Sequence, residues 1–338
     1  MTLENRIEAF IKLGNQLQNL PPEERKALAA AAFARNPWFD EENVSCALNG
    51  IITYLEEQYL REWLYPYQLK HIKPKTVGVV MAGNIPLVGF HDFLSVLISG
   101  HVLHAKLSSG DEVLMRWIAN TLISVEPAFA EYIHFVEMLK EADAIIATGS
   151  DNTARYFEYY FAKRPHIIRK NRNSIGVLTG RENERELQAL GEDVFRYYGL
   201  GCRNVSKLFV PEDYNFEKFF EANKAHASLL DHHKYRNNYD YNKSILLVNR
   251  VPHFDNGFML VTESESLVSP ISVLNYEKFS SLADLRQKIA AAREKIQCIV
   301  SAHGWFENSI AFGDAQCPMV WDYADGVDTL AFLQEIGS

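Results

Sequence analysis

The chain has 338 residues, 47 % hydrophobic and 23 % charged, a globular composition that excludes a disordered or low-complexity architecture. Lys plus Arg number 34 against 43 Asp plus Glu, so the net charge of −9 repels polyanions and argues against a nucleic-acid partner. No apolar run reaches membrane-spanning length, the start Met1-Thr2-Leu3-Glu4-Asn5 lacks an export signal, and Cys46, Cys202, Cys298 and Cys317 form no C-x-x-C pair, which points to a cytoplasmic protein without structural zinc or disulfides.

Residues 3 to 34 carry Ile7, Phe10, Ile11 and Leu17 near helical spacing, and Pro21-Pro22-Glu23-Glu24 restarts a second helix. A third helix is predicted from Glu41 to Arg61, with Val44, Leu48, Ile51, Leu55 and Leu60 on one face. From Lys75 the texture changes to short apolar runs alternating with amphipathic stretches. Strands are predicted over Thr76–Met81, His101–Lys106, Tyr132–Glu137, Ala142–Thr148 and His166–Arg169. Helices are predicted over Pro86–Ser99, Asp111–Val125 and Asn152–Phe161. Strands alternating with helices over about 100 residues mark a doubly wound parallel sheet, which binds ligands at the carboxyl ends of its strands. Here those ends are Ala82-Gly83-Asn84, Lys106-Leu107-Ser108-Ser109 and Thr148-Gly149-Ser150. The first strand lacks the G-x-G-x-x-G fingerprint of standard dinucleotide folds.

A second α/β series follows. Helices are predicted over Glu184–Tyr198, Phe216–Leu229 and Leu282–Lys295, and strands over Lys207–Val210, Ser244–Val248, Phe258–Thr262, Ile271–Tyr276 and Gln297–Val300. The polar stretch Asp231–Lys243 reads as an exposed loop. Between helix and strand stands Gly199-Leu200-Gly201-Cys202-Arg203-Asn204. Glycines beside a thiol leave room for a carbonyl to approach the sulfur, although a lone cysteine is also the signature of a small buried hydrophobe. Cys46, Cys298 and Cys317 lie on or beside apolar runs and read as structural. Trp321 and Tyr323 in the tail suit the covering of a cleft or an interface.

Taken in order, Gly83-Asn84-Ile85-Pro86, Lys106 after a strand, Thr148-Gly149-Ser150 before a helix, and Gly201-Cys202 resemble the aldehyde dehydrogenase superfamily. The spelling Ala82-Gly83-Asn84-Ile85-Pro86-Leu87-Val88-Gly89-Phe90-His91-Asp92-Phe93 is similar to the acyl-CoA reductases related to the fatty-acid reductase of bacterial luciferase systems. The likeness spans roughly 75 to 320. It implies an α/β fold in three parts: a helical leader with a nicotinamide-dinucleotide-binding domain over 1–178, a catalytic domain over 179–320, and a tail over 321–338 packing back on the core or on an interface. It implies that Cys202 is the nucleophile and that the Asn84 amide and the Cys202 N–H form the oxyanion hole, a device worth about 3 to 4 kcal/mol per donor. From the residues alone, Asn84 is equally a turn residue after a strand.

The same resemblance assigns Lys106 to the cofactor's adenosine ribose. Ser109 stands where many relatives carry a glutamate that excludes a 2′-phosphate, which leans toward NADPH over NADH, with Asp111 near enough in sequence to oppose that. Gly149 and Ser150 are assigned to the pyrophosphate, though Thr148-Gly149-Ser150 is also an ordinary helix start. Glu265 matches the nicotinamide-ribose glutamate one residue out of register, and an exposed loop carboxylate reads the same way. The E-L-G-G-K general base of hydrolytic relatives is missing: Ile168-Arg169-Lys170-Asn171-Arg172-Asn173-Ser174 contains no acid, and its cations Arg169 and Lys170 suit cofactor or CoA phosphates. His91, His104, His166 and His303 are candidate proton donors. The implied reaction is NADPH-dependent reduction of a fatty acyl-CoA or other acyl thioester to the aldehyde. An acyltransferase or thioesterase using the same acyl-cysteine, and a non-catalytic acyl- or nucleotide-binding module, remain the alternatives, and homo-oligomerisation is left open.

Overall fold

The computed structural model describes residues 1–149 and 151–338, and divides them into one unit of Met1–Asn171 with Pro318–Ser338 and another of Arg172–Cys317. The break falls after Asn171 rather than after 178 because the strand beginning at Asn173 hydrogen-bonds into the second sheet. No helix of the described residues is long and apolar enough to cross a membrane.

The first unit opens with α1 (Leu3–Gln18), α2 (Pro22–Arg35), α3 (Glu41–Tyr54) and α4 (Glu57–Leu64). Thr2 and Asp40 cap α1 and α3 by accepting from the backbone N–H groups of Asn5 and Asn43, and Pro22 starts α2 where its missing N–H costs nothing. The single helix expected over Glu41–Arg61 is two. The break seats Leu55 so close to Gly14 of α1 that a Cβ on Gly14 would lie 2.8 Å from that of Leu55. Then come β1 (Thr76–Val80), α5 (Phe90–Ser99), β2 (Val102–Lys106), α6 (Glu112–Val125), β3 (Ile133–Phe135), β4 (Ala144–Thr148), α7 (Asp151–Phe161) and β5 (His166–Arg169). The sheet is parallel, in the order β3-β2-β1-β4-β5. Phe10, Leu13, Leu48 and Trp63 of the leader join Val77, Phe93 and Ile118 in one core, while Ile145 and Ala147 pack with Phe157 and Phe161 in another. The leader is therefore part of the body of this unit. The helix expected from Pro86 begins only at Phe90, because the chain first loops through Leu87, at φ 57°, and Gly89 presses against Met81.

The second unit contains β6 (Asn173–Val177), α8 (Glu184–Phe195), β7 (Val205–Pro211), α9 (Glu217–Ala222), α10 (His233–Val248), β8 (His253–Asp255), β9 (Leu260–Glu263), β10 (Val273–Phe279), α11 (Leu282–Ala292), β11 (Ile296–Ser301) and β12 (Ser309–Ala311). Its sheet runs β12-β11-β6-β7-β10-β9-β8, parallel except at β8–β9. Leu208 and Val210 face one core and Phe209 the other, the two-residue period of a strand buried on both faces. The loop expected over Asp231–Lys243 and the strand expected over Ser244–Val248 are one helix, α10. Its buried residues Tyr235, Tyr239 and Asn242 recur at helical spacing inside a polar sequence, while Leu247 and Val248 are exposed. The chain ends in α12 (Thr329–Ile336), which belongs to the first unit.

Candidate active site

Cys202 is exposed, in a turn between α8 and β7. A capping box between Asn183 and Glu186 starts α8, and its buried face of Leu187, Leu190 and Val194 docks it on the sheet. Past Phe195 the backbone turns left-handed for three residues, Tyr197 (φ 53°), Tyr198 (φ 57°) and Gly199 (φ 76°). For the two tyrosines this conformation costs roughly 1–2 kcal/mol each, offset by the burial of Tyr197 and the packing of Tyr198 against His232, tilted by 38° at 4.5 Å between ring centroids. Asn204, 2 % exposed, ties the turn together. Its Oδ1 accepts the Gly201 N–H (2.7 Å), its own N–H donates to the Gly201 carbonyl (3.1 Å), and its Nδ2 donates to the Asp193 and Arg196 carbonyls at the end of α8 (3.1 and 2.8 Å). A trans peptide points C=O and N–H in opposite directions. With the Gly201 carbonyl turned toward Asn204, the Cys202 N–H points the other way.

The loop carrying Glu265 lies against the strand that leaves this turn. Ser206 Oγ donates to the Leu267 carbonyl (2.6 Å), and buried Lys207, paired with Glu277, donates to the Glu265 carbonyl (2.8 Å). Asn275 Nδ2 donates to the carbonyls of Ser266 and Val268, both at 3.1 Å. The Glu265 side chain is exposed. Phe195, Tyr198, Tyr235, Met259 and Ile271 line a small recess of about 30 Å³ between the turn and this loop.

In the first unit, Asn84 is exposed on the loop after β1, Lys106 is exposed at the end of β2, and Ser109 is exposed on the turn after it. The two turns touch through backbone. A Cβ on Gly83 would lie 2.4 Å from Ser108 Oγ, and one on Gly110 would lie 2.8 Å from the Gly83 carbonyl oxygen. Arg35 of α2 donates from Nε to the Ser109 carbonyl (3.1 Å), bringing a guanidinium from the leader to this corner, a contact with no sequence motif to announce it. Asp111 is 2 % exposed, and burial pushes its carboxyl well above the usual carboxylate range. Its carboxyl lies inside the unit rather than at the surface beside Ser109. The strand order is that of a dinucleotide-binding sheet, and Lys106, Ser109 and Arg35 stand beyond its carboxyl edge, so these residues fit a nicotinamide dinucleotide. The Gly149 N–H donates to the Arg169 carbonyl (3.2 Å), continuing the β4–β5 ladder. Ser150 lies outside the described residues.

Arg169 does not offer its charge to phosphates. It is 5 % exposed, gives Asp92 two hydrogen bonds (2.8 and 2.6 Å) and donates to Thr329 Oγ1 (2.9 Å). Lys170 is exposed and paired with Glu158 at 2.9 Å. His91 packs among Tyr54, Trp63 and Tyr323 and bonds the Val320 carbonyl (2.7 Å), and His104 faces His134 at 5.2 Å. His166 bonds the Arg164 carbonyl (2.8 Å) and His303 pairs with Glu186 (2.9 Å). Each of the four histidines has a structural partner. Among the described residues, no group of three or more His, Cys, Asp or Glu is arranged to hold a metal.

Residues 10–235 match the family model described as acyl-CoA reductase (LuxC). Solved structures with the same fold include aldehyde dehydrogenase 21 from Physcomitrella patens in complex with the reaction product succinate (TM-score 0.71, 13 % identity, 100 % of this chain and 85 % of that one). The NAD+ complex of an aldehyde dehydrogenase from Bacillus cereus (0.64, 14 %, 91 % and 72 %) is another. An NADP-dependent enzyme from E. coli (0.66, 14 %, 89 % and 73 %) is a third. No curated protein sequence matches the chain.

Proposed function

Since the chain belongs to the acyl-CoA reductase (LuxC) family and is an oxidoreductase with the aldehyde dehydrogenase fold, we propose that it reduces a fatty acyl-CoA or related acyl thioester to the aldehyde through acyl-Cys202, with NADPH preferred over NADH. The observation that carries this reading is the exposed Cys202 on its braced turn, with the N–H directed away from Asn204. The Cys202 thiolate attacks the thioester carbonyl, a carbon–sulfur bond forms to Cys202, the bond to the carrier sulfur breaks, and the carrier leaves as its thiolate. The Cys202 N–H and the Asn84 amide are the proposed donors to the oxyanion. Lys106, Ser109 and Glu265 are the proposed cofactor contacts; a reduced nicotinamide held there would supply the hydride for release of the aldehyde and of the Cys202 thiolate. The acid-free stretch from Ile168 to Ser174 supports reduction over hydrolysis, because the acyl-enzyme lacks the glutamate that activates water in hydrolytic relatives. Exposed Ser109 beside the Arg35 guanidinium, with Asp111 buried, supports the NADPH preference.

Intact mass after mixing with octanoyl-CoA tests the reading. Wild type gains one octanoyl group that persists without cofactor and is discharged as aldehyde by NADPH, and Cys202→Ala gains none. NADH discharges it less efficiently, and Ser109→Glu narrows or reverses that difference. Free octanoate formed at the same rate with or without NADPH points instead to a thioesterase.

A further inference from the structure

Ser174 takes no part in the chemistry above, yet its side chain, 0 % exposed, sits against the nucleophile turn. Its Oγ lies 3.1 Å from the Cys202 carbonyl oxygen and 2.9 Å from Cys298 Sγ, and it accepts the Cys298 N–H at 3.3 Å. We propose that Ser174, oriented by Cys298, is a positioning residue for the nucleophile: its hydroxyl donates to the Cys202 carbonyl and, together with Asn204, fixes the two peptide planes on either side of the Cys202 Cα. This rests on the reading of Cys202 as the nucleophile.

The direction of the hydrogen bonds follows from counting protons. A serine hydroxyl has one proton to give and two lone pairs to receive with. The Cys298 N–H takes one lone pair. Burial pushes the Cys298 thiol up, which keeps it protonated and lets S–H donate to the second. The serine proton is then left for the Cys202 carbonyl.

Fixing that carbonyl matters because a peptide is a rigid plane. Asn204 sets the Gly201–Cys202 plane by donating its backbone N–H to the Gly201 carbonyl, and holds the preceding Leu200–Gly201 plane by accepting the Gly201 N–H; Ser174 sets the Cys202–Arg203 plane. With both planes set, φ and ψ at Cys202 are set, and with them the direction of Cα–Cβ and of the N–H proposed for the oxyanion. The sheet is irregular at this place. The register of β6 against β7 shifts between Ser174 and Ile175, and that of β11 against β6 shifts between Ile296 and Ile299, around Cys298. Such irregularities re-aim side chains next to active sites. Here they bring a serine and a cysteine from neighbouring strands to one carbonyl.

The test compares two reactions of the same sulfur. Acylation by octanoyl-CoA requires an aligned thiolate and oxyanion donors, whereas alkylation by iodoacetamide requires only an accessible thiolate. Ser174→Ala is expected to slow single-turnover acylation by at least about tenfold, in line with the ~100-fold cost of a 1 Å misplacement. Its alkylation rate stays within about twofold of wild type. Cys298→Ser, whose hydroxyl still donates to Ser174, keeps wild-type acylation, while Cys298→Ala is slowed. The proposal is overturned if Ser174→Ala acylates at the wild-type rate, if its two reactions slow by the same factor, or if Cys298→Ser is as defective as Cys298→Ala. Should Ser174→Ala not fold, the Cys298 pair decides alone. Acylation of Cys202→Ala would instead refute the nucleophile assignment itself, a result distinct from all of these.

Discussion

Arg169 stands in the acid-free stretch from Ile168 to Ser174, and the fold closes buried partners around it. Its guanidinium grips Asp92 of α5 with two hydrogen bonds and Thr329 of α12 with a third, with both charged partners buried. Removing one member of a buried pair strands the other charge, at about 3–5 kcal/mol, whereas replacing both with apolar groups is often close to neutral. Arg169→Met is therefore expected to lower the urea midpoint strongly, and Arg169→Met with Asp92→Leu to recover most of the loss. A single mutant that unfolds with the wild-type midpoint would show that the pair does not hold this unit. A glutamate introduced at 169 would face Asp92.

At the scale of an element, the carboxyl end of α8 is anchored as well as capped. Asp193, 0 % exposed, accepts the backbone N–H groups of Gly313 (2.7 Å) and Ala315 (3.0 Å). Burial pushes its carboxyl up to about 7, against the pull of those two donors. A raised carboxyl pKa makes the folded state hold its proton longer than the unfolded chain does. The associated stability is complete below about pH 3.9 and is lost as pH rises toward 7. Asp193→Asn does not titrate, and it turns an NH2 group toward a backbone N–H that needs an acceptor, a cost of about 1–3 kcal/mol. Thermal melts should find the variant less stable at pH 5, with the gap to wild type narrowing as pH approaches 7. Parallel stability curves for the two proteins between pH 4 and 7 would remove Asp193 as the titrating group.

For the whole molecule, the chain's last residues complete its first unit. The Val320 carbonyl bonds His91, Trp63 Nε1 donates to Tyr323 Oη (2.7 Å), and Leu330 and Leu333 are fully buried. Each such leucine contributes roughly 1.5–3 kcal/mol, against a net domain stability of about 5–15 kcal/mol. Deleting 318–338 is expected to expose sites within 1–171 to limited proteolysis while 172–317 stays resistant. A deletion protein as resistant as the full chain would mean that the tail is dispensable.

The alternation of apolar runs and amphipathic stretches determined the parallel sheet of the first unit and the α/β character of the second, because backbone hydrogen bonding and burial act on local periodicity; the strand Asn173–Val177 inside the second sheet was not legible. The turn at Gly199-Leu200-Gly201-Cys202 was legible because glycine permits the left-handed backbone that Gly199 adopts, at φ 76°. Asp231–Val248 was not. Its helix is held by Tyr235, Tyr239 and Asn242, whose burial depends on what the rest of the unit packs against them. The partners of the nucleophile turn were equally hidden. Ser174, Cys298 and Asn204 meet only because neighbouring strands and a helix end converge there, and a hydroxyl or a thiol in a strand carries no mark of the carbonyl it faces. Arg169 read as a cation for phosphates until the fold closed Asp92 and Thr329 around it. Charge and residue type are properties of the sequence. Whether a group faces water, a buried partner or a reacting atom is decided by contacts between residues far apart in the chain, and only the tertiary structure makes those.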